Sequence, residues 1–366
     1  MSNENSRLEH IDFLKGFAIF LVVMGHFLAW TFPVDIKPGK YALFVKEIIY
    51  SFHMPLFFFI SGYLVDLKGH KWTNHFCLNL IRKRLVSLML PGFSFLLIYY
   101  LWADKWIFPW FLMVLFEVYL IFVFVKFLTS TKVSNKIEFI FLFLFVVVLF
   151  GVGRLFSETE IGKLTNFSKL PRYYLFFVLG YLFFKLNINY WLLKKEWIFT
   201  TSLFVWGGLF FYNFECDGVI NNVLSVIMAL SAILVCWNFA QDIDYDVKKK
   251  FVSLFINWGK ASLAIYLLSP LLTPVFPELG VYIIVSNDYV RSGNVSEAKH
   301  MTSFFLQMFS GGGISIIVCE MALCMKRCLR KSNFLNLFLF GENHYQKKRS
   351  QIIPAKEEIS YKKGNG

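Results

Sequence analysis

Of the 366 residues, 57% are hydrophobic, 20% aromatic and only 17% charged, and 45 are phenylalanine. A soluble domain carries about 25% charged residues, so this composition excludes a water-soluble globular protein and points to one polytopic membrane domain. The formal net charge of +13 sits in short loops and a tail, a pattern of membrane topology and attraction to anionic lipid and not of nucleic-acid binding.

A helix needs about 20 residues to cross the hydrocarbon core. That ruler predicts an all-α protein with about ten transmembrane helices, near 13–33, 44–66, 86–102, 110–126, 137–153, 172–186, 197–213, 219–239, 256–276 and 303–325. "ELGVYIIV" (278–285) is too short to span. Most of the 37 lysines and arginines fall on the side of the N-terminus when loops are assigned alternately. Positive loops favour the cytoplasm, so both termini are expected inside. Residues 1–12 form a cytoplasmic segment without signal-peptide features, so the first helix is expected to remain as an anchor. The membrane domain covers 13–327, and 328–366 form a basic cytoplasmic tail whose distal part has the composition of disorder.

The first helix contains "LKGFAIFLVVMGHF" (14–27). Lys15 and His26 are eleven residues apart, three turns, so they share a face and stand roughly 16 Å apart. Ionisable residues within spans are functional candidates. With the N-terminus inside, Lys15 lies near the cytoplasmic surface and His26 beyond the midplane. A phosphate-bearing donor could dock on Lys15 and extend a thin arm to His26, which is suited to take a proton from an alcohol. Acyl-coenzyme A has that shape. The plain alternative is a snorkelling lysine and a packed histidine.

The second helix, with "SFHMPLFFFISGYL" (51–64), runs the other way and brings His53 to about the depth of His26. Pro55 frees backbone carbonyls there, and Gly62 allows close packing. No third or fourth ligand has a convincing spacing, so no metal is expected. Arg82, Lys83 and Arg84 cap the third helix and fit a phosphate site or the inside charge rule equally well. Trp106 and Trp110 fit an interfacial belt or a surface for a sugar. Arg172 opens the sixth helix, and Glu117 and Glu320 lie within spans. The six cysteines (Cys77, Cys216, Cys236, Cys319, Cys324, Cys328) have no CxxC spacing and are expected to be small packing residues. "GGG" (311–313) is expected to let a neighbouring helix approach.

Several separated stretches together resemble the acyltransferase 3 family of integral membrane acyltransferases: "RLEHIDFLKGFAIFLVVMGH" (7–26), "FHMPLFFFISGYL" (52–64), "RKRLVSLMLP" (82–91), "WFLMVLF" (110–116), "YYLFFVLGYLF" (173–183) and "WGKASLAIYLLSP" (258–270). The first two are the specific ones. The resemblance implies transfer of an acyl group, most often acetyl, from cytoplasmic acyl-CoA to a hydroxyl of an extracytoplasmic glycan, at a bacterial cell membrane. The family's arginine, ten residues and histidine here reads Lys15 and His26. Lysine keeps the charge and loses the planar fork. Of the family's pair of basic residues before the third helix, Arg84 fits the first place and Ser87 stands at the second. Ser269 stands where a histidine often follows "IYLL".

These readings give an O-acyltransferase with acetyl-CoA as donor substrate and no permanently bound cofactor. His26 acts as base or relay, and His53 orients it or the acceptor. Lys15, Arg82 and Arg84 hold the CoA phosphates, and Trp110 and Arg172 meet the acceptor glycan. The alternatives are a transporter of a glycan precursor or small solute and a non-catalytic partner in an envelope complex.

Overall fold

The computed structural model describes residues 2–31, 44–67, 71–103, 108–129, 135–156, 159–188, 196–211, 219–243, 250–276, 278–279 and 297–342. Every regular element among them is helical. Trp106, Cys216, residues 280–285 and the distal tail, 343–366, lie outside the described residues.

The helices are α1 (Ser2–Thr31), α2 (Phe44–Leu64), α3 (Asn74–Arg84), α4 (Leu90–Ala103), α5 (Trp110–Thr129), α6 (Asn135–Phe156), α7 (Glu160–Thr165), α8 (Leu170–Lys185), α9 (Glu196–Phe211), α10 (Val219–Asp242), α11 (Lys250–Lys260), α12 (Ser262–Leu272), α13 (Glu297–Leu329) and α14 (Asn333–Phe340). A π-helical turn, Leu85–Met89, joins α3 to α4. Among the described residues seven helices are long and apolar enough to cross a membrane, and α11 with α12 is a bent pair, broken by 91°, that would make an eighth. The stretches expected at 172–186 and 197–213 are helices of 16 residues each. The expected 256–276 span is the bent pair.

In hydrocarbon a helix satisfies its backbone internally, and what remains is how closely the helices approach. α1 and α2 are central. Their apolar windows are 72% and 67% buried, against 28% for Lys136–Gly153 and 33% for Phe304–Leu329. α1 packs against α2, α10, α11, α12 and α13, and α2 packs also on α8 and α10. Glycines set two of these crossings. A Cβ on Gly62 would overlap the Phe177 carbonyl, and one on Gly180 the Phe59 carbonyl, so α2 and α8 touch backbone to backbone. Gly16 meets Phe255 and Gly259 meets Asp12 in the same way, fixing α11 across α1. Of the three glycines at 311–313, Gly311 packs on Met24 and Leu28, while a Cβ on Gly313 would meet nothing within 4 Å among the described residues.

The start of the tail is folded. Ser332 caps α14 by accepting from the Leu335 N–H, and Gly341 ends it at φ 64°, the left-handed conformation that favours glycine. The Ser94 hydroxyl on α4 donates to the Phe338 carbonyl at 2.6 Å, holding α14 against the bundle. Cys77, Cys236 and Cys319 are buried, Cys324 and Cys328 are exposed, and all five are free thiols.

Candidate active site

A cavity of about 310 Å³ opens between α1, α2, the α3–α4 junction, α5, α12 and the end of α14. Small-molecule sites run from about 300 to 1,000 Å³. On α1 its wall is Lys15, Ile19 and Val22, spaced four and three, and the next position on that face is His26. On α2 the wall is Ser61, Ile60, Phe57 and Met54, and His53 lies one turn beyond Phe57. Both histidines therefore stand just past the same end of the cavity, His26 about 6 Å of helix beyond Val22 and His53 next to Met54.

The opposite end carries the cations. Lys15 and Arg84, far apart in sequence, both line the cavity. The Lys15 ammonium has Asp12 Oδ1 at 3.3 Å. The Arg84 guanidinium lies over the Tyr119 ring, 4.2 Å from its centroid, and its Nε is buried with no hydrogen-bond partner among the described residues. The Tyr119 side chain is hydrogen-bonded to Ser61, another wall residue. The aromatic face thus orients Arg84 without taking up its donors, which remain for an anion. Arg82 is on the exposed face and does not reach the cavity. Two positions along a helix are about 200° around it, so Arg82 and Arg84 face different ways.

At the far end, the two histidines are close enough for their charges to interact. His53 Nδ1 is 2.7 Å from the Ile49 carbonyl oxygen. A carbonyl only accepts, so Nδ1 carries the proton and Nε2 the lone pair. His26 stacks on Trp30, with centroids 5.2 Å apart, and its Nδ1 is buried with no partner among the described residues. Tyr50 bridges the two helices: its hydroxyl donates to the Gly25 carbonyl at 3.2 Å, and its ring lies 5.1 Å from His53. The pair has the makings of general acid–base chemistry, one ring held in a defined tautomer beside one with a free nitrogen.

Trp110 meets the start of α8, which carries Arg172, through Tyr173. Nine residues of α5, about 13 Å, separate Trp110 from Tyr119. Trp110 stacks on Tyr173 at 5.6 Å, and Tyr173 stacks on Phe58 at 4.4 Å. Lys169 Nζ sits 4.1 Å from the Trp110 centroid, and Arg172 Nε is buried without a partner among the described residues. Phe111, beside Trp110 in sequence, lines the cavity.

Sequence reasoning missed Ser61, Tyr266 and the Phe340–Glu342 elbow as cavity walls, and Tyr119 as the ring under Arg84. It left Glu320 without a partner. Its Oε1 accepts from the Trp258 indole at 2.7 Å, across α13 and α11. Glu117 Oε2 is buried with no partner among the described residues. No cluster of three or more metal-ligating side chains occurs among the described residues.

Residues 8–320 match a family model described as an acyltransferase domain. The nodulation protein NolL of Sinorhizobium fredii is 39% identical over 87 residues, 24% of this chain and 23% of its own length. NolL of Mesorhizobium japonicum is 44% identical over 63 residues, 16% of each chain. The chain thus spans less than a quarter of the length of these relatives. No solved structure matches it.

Proposed function

The chain belongs to the acyltransferase family whose model it matches, and from that premise we propose that it is a multi-pass cell-membrane O-acyltransferase. In this reading acetyl-CoA docks from the cytoplasm, and the acetyl group passes to a hydroxyl of an extracytoplasmic polysaccharide or glycolipid. About ten spans with both termini inside complete the topology.

The observation that carries the reading is the two-ended cavity. It starts at Lys15 and Arg84 and ends below His26 and His53. The cations meet the donor phosphates as charge-assisted hydrogen bonds. The apolar wall of Ile19, Val22, Met54 and Phe57 suits an uncharged arm. At the histidines, the lone pair of one imidazole takes the acceptor hydroxyl proton while the oxygen attacks the thioester carbon. The carbon–sulfur bond then breaks and the thiolate leaves with a proton. The Trp110–Tyr173 stack offers a face for the sugar, and Arg172 a donor for its oxygens.

A transporter is the second reading, and the 91° break between α11 and α12 is the feature it would use. One experiment separates the two: ester-linked acyl groups on surface glycans are compared in a deletion strain, the strain carrying wild type, and the strain carrying His26→Ala at matched expression. Wild type restores the esters and His26→Ala does not. Equal esters in all three strains contradict acyl transfer by this chain, and full restoration by His26→Ala removes the role given to His26.

A further inference from the structure

The family match ends at residue 320, yet three of the residues lining the cavity come from beyond it: Phe340, Gly341 and Glu342. The elbow that carries them is rigidly built. Glu342 N–H donates to the Asn336 carbonyl at 3.3 Å, and Asn336 Nδ2 returns a bond to the Glu342 carbonyl at 2.9 Å. Gly341 rests on the π-helical turn, where a Cβ would fall 2.6 Å from Ser87 Cα. Ser87 is itself a cavity residue, and a long basic side chain at this position would share its surroundings with the elbow.

The elbow also holds a third cation. Lys326, on the last turns of α13, donates to Glu342 Oε1 at 2.8 Å, and its ammonium lies 5.8 Å from the centroid of the Phe340 ring. The lysine side chain is 11% exposed and the glutamate 37%. Glu342 lines the cavity, and Lys326, which does not, lies 2.8 Å from its carboxylate. A carboxylate lining the same cavity as Lys15 and Arg84 opposes an entering phosphate. A lysine held one side chain away favours it.

We propose that the segment Asn333–Glu342 completes the acyl-donor site, with Lys326 as a phosphate-binding cation and Glu342 as the counter-ion that it gives up when phosphate enters. The proposal rests on the donor reading above. It assigns to Lys326 the charge that Ser87 does not supply.

The test measures acetyl-CoA binding to the full-length protein in detergent for wild type, Lys326→Ala, Lys326→Arg, Glu342→Gln and the double variant Lys326→Ala/Glu342→Gln. Lys326→Ala and Glu342→Gln break the same ion pair, so any shared loss of folding moves both the same way. Lys326→Ala weakens binding about tenfold and flattens its salt dependence, while Lys326→Arg restores both. Glu342→Gln tightens binding, and the double variant binds more weakly than Glu342→Gln. If Lys326→Ala and Glu342→Gln weaken binding equally, the pair is a structural strut and the proposal fails. It fails also if neither changes affinity. Wild type that does not bind acetyl-CoA overturns the donor reading itself, a result distinct from the other two.

Discussion

Two groups of cations lie within this bundle, and the protein treats them in opposite ways. Between α5, α6 and α8, Lys126 donates to Glu138 Oε1 at 2.9 Å and to the Tyr181 hydroxyl at 3.0 Å. Tyr181 donates to the same Glu138 oxygen at 2.6 Å, and Lys185 donates to Glu138 Oε2 at 2.8 Å. Asp66 adds a second negative charge within electrostatic reach. Every charge there is answered, and the cluster ties three helices together. At the cavity, Lys15 and Arg84 have one carboxylate at 3.3 Å and one aromatic face between them, and open volume in front. Charges that neutralise one another hold a fold, and charges that face a cavity with donors to spare are available to a ligand.

That contrast can be broken from either side. The largest effect is expected from Glu138→Ala, which leaves buried Lys126 and half-buried Lys185 without their carboxylate and destabilises the protein by about 3–5 kcal/mol. Thermal unfolding in detergent reads this, with acyl transfer per folded molecule preserved. Gly180→Leu drives a side chain into the Phe59 carbonyl and loses about 1–3 kcal/mol by overpacking. The same unfolding experiment detects it, and an unshifted transition would dispose of the close α2–α8 crossing. Tyr181→Phe removes one neutral donor from a cluster that otherwise stays paired, so about 1 kcal/mol is expected. Smallest is the stability effect of Lys15→Ala, within about 1 kcal/mol because its pair with Asp12 is partly exposed. If Lys15→Ala unfolds the protein as Glu138→Ala does, the distinction between the two groups is lost.

Much of the site was legible in the sequence because helical periodicity is local. Eleven residues put Lys15 and His26 on one face, and the antiparallel return of α2 brings His53 beside them. Gly62 announced a close crossing. Pairing across helices was not legible. Lys126, Lys185, Lys15 and Arg84 look alike as letters, and only the fold separates the paired from the available. Arg82 and Arg84 looked equivalent until the direction each faces was known. The break at Ala261 carries no proline, and it follows directly on Gly259, which with Gly16 sets α11 close across α1. The C-terminal elbow did leave a signal. Ser332 and Gly341 bracket the apolar "NFLNLFLF" as an N-cap and a left-handed C-cap, but eight residues are too few to span, so by length and charge the segment reads as part of the tail.

The central claim is that donor binding and chemistry occupy opposite ends of one cavity. It is tested most directly by steady-state acyl transfer in membranes containing the native glycan, with acetyl-CoA varied for Lys15→Ala and His26→Ala. Lys15→Ala is expected to raise the KM for acetyl-CoA about tenfold with kcat nearly unchanged. His26→Ala is expected to lower kcat by about 100-fold or more while acetyl-CoA still binds. Loss of the same parameter in both variants, or an unchanged kcat in His26→Ala, would contradict the account.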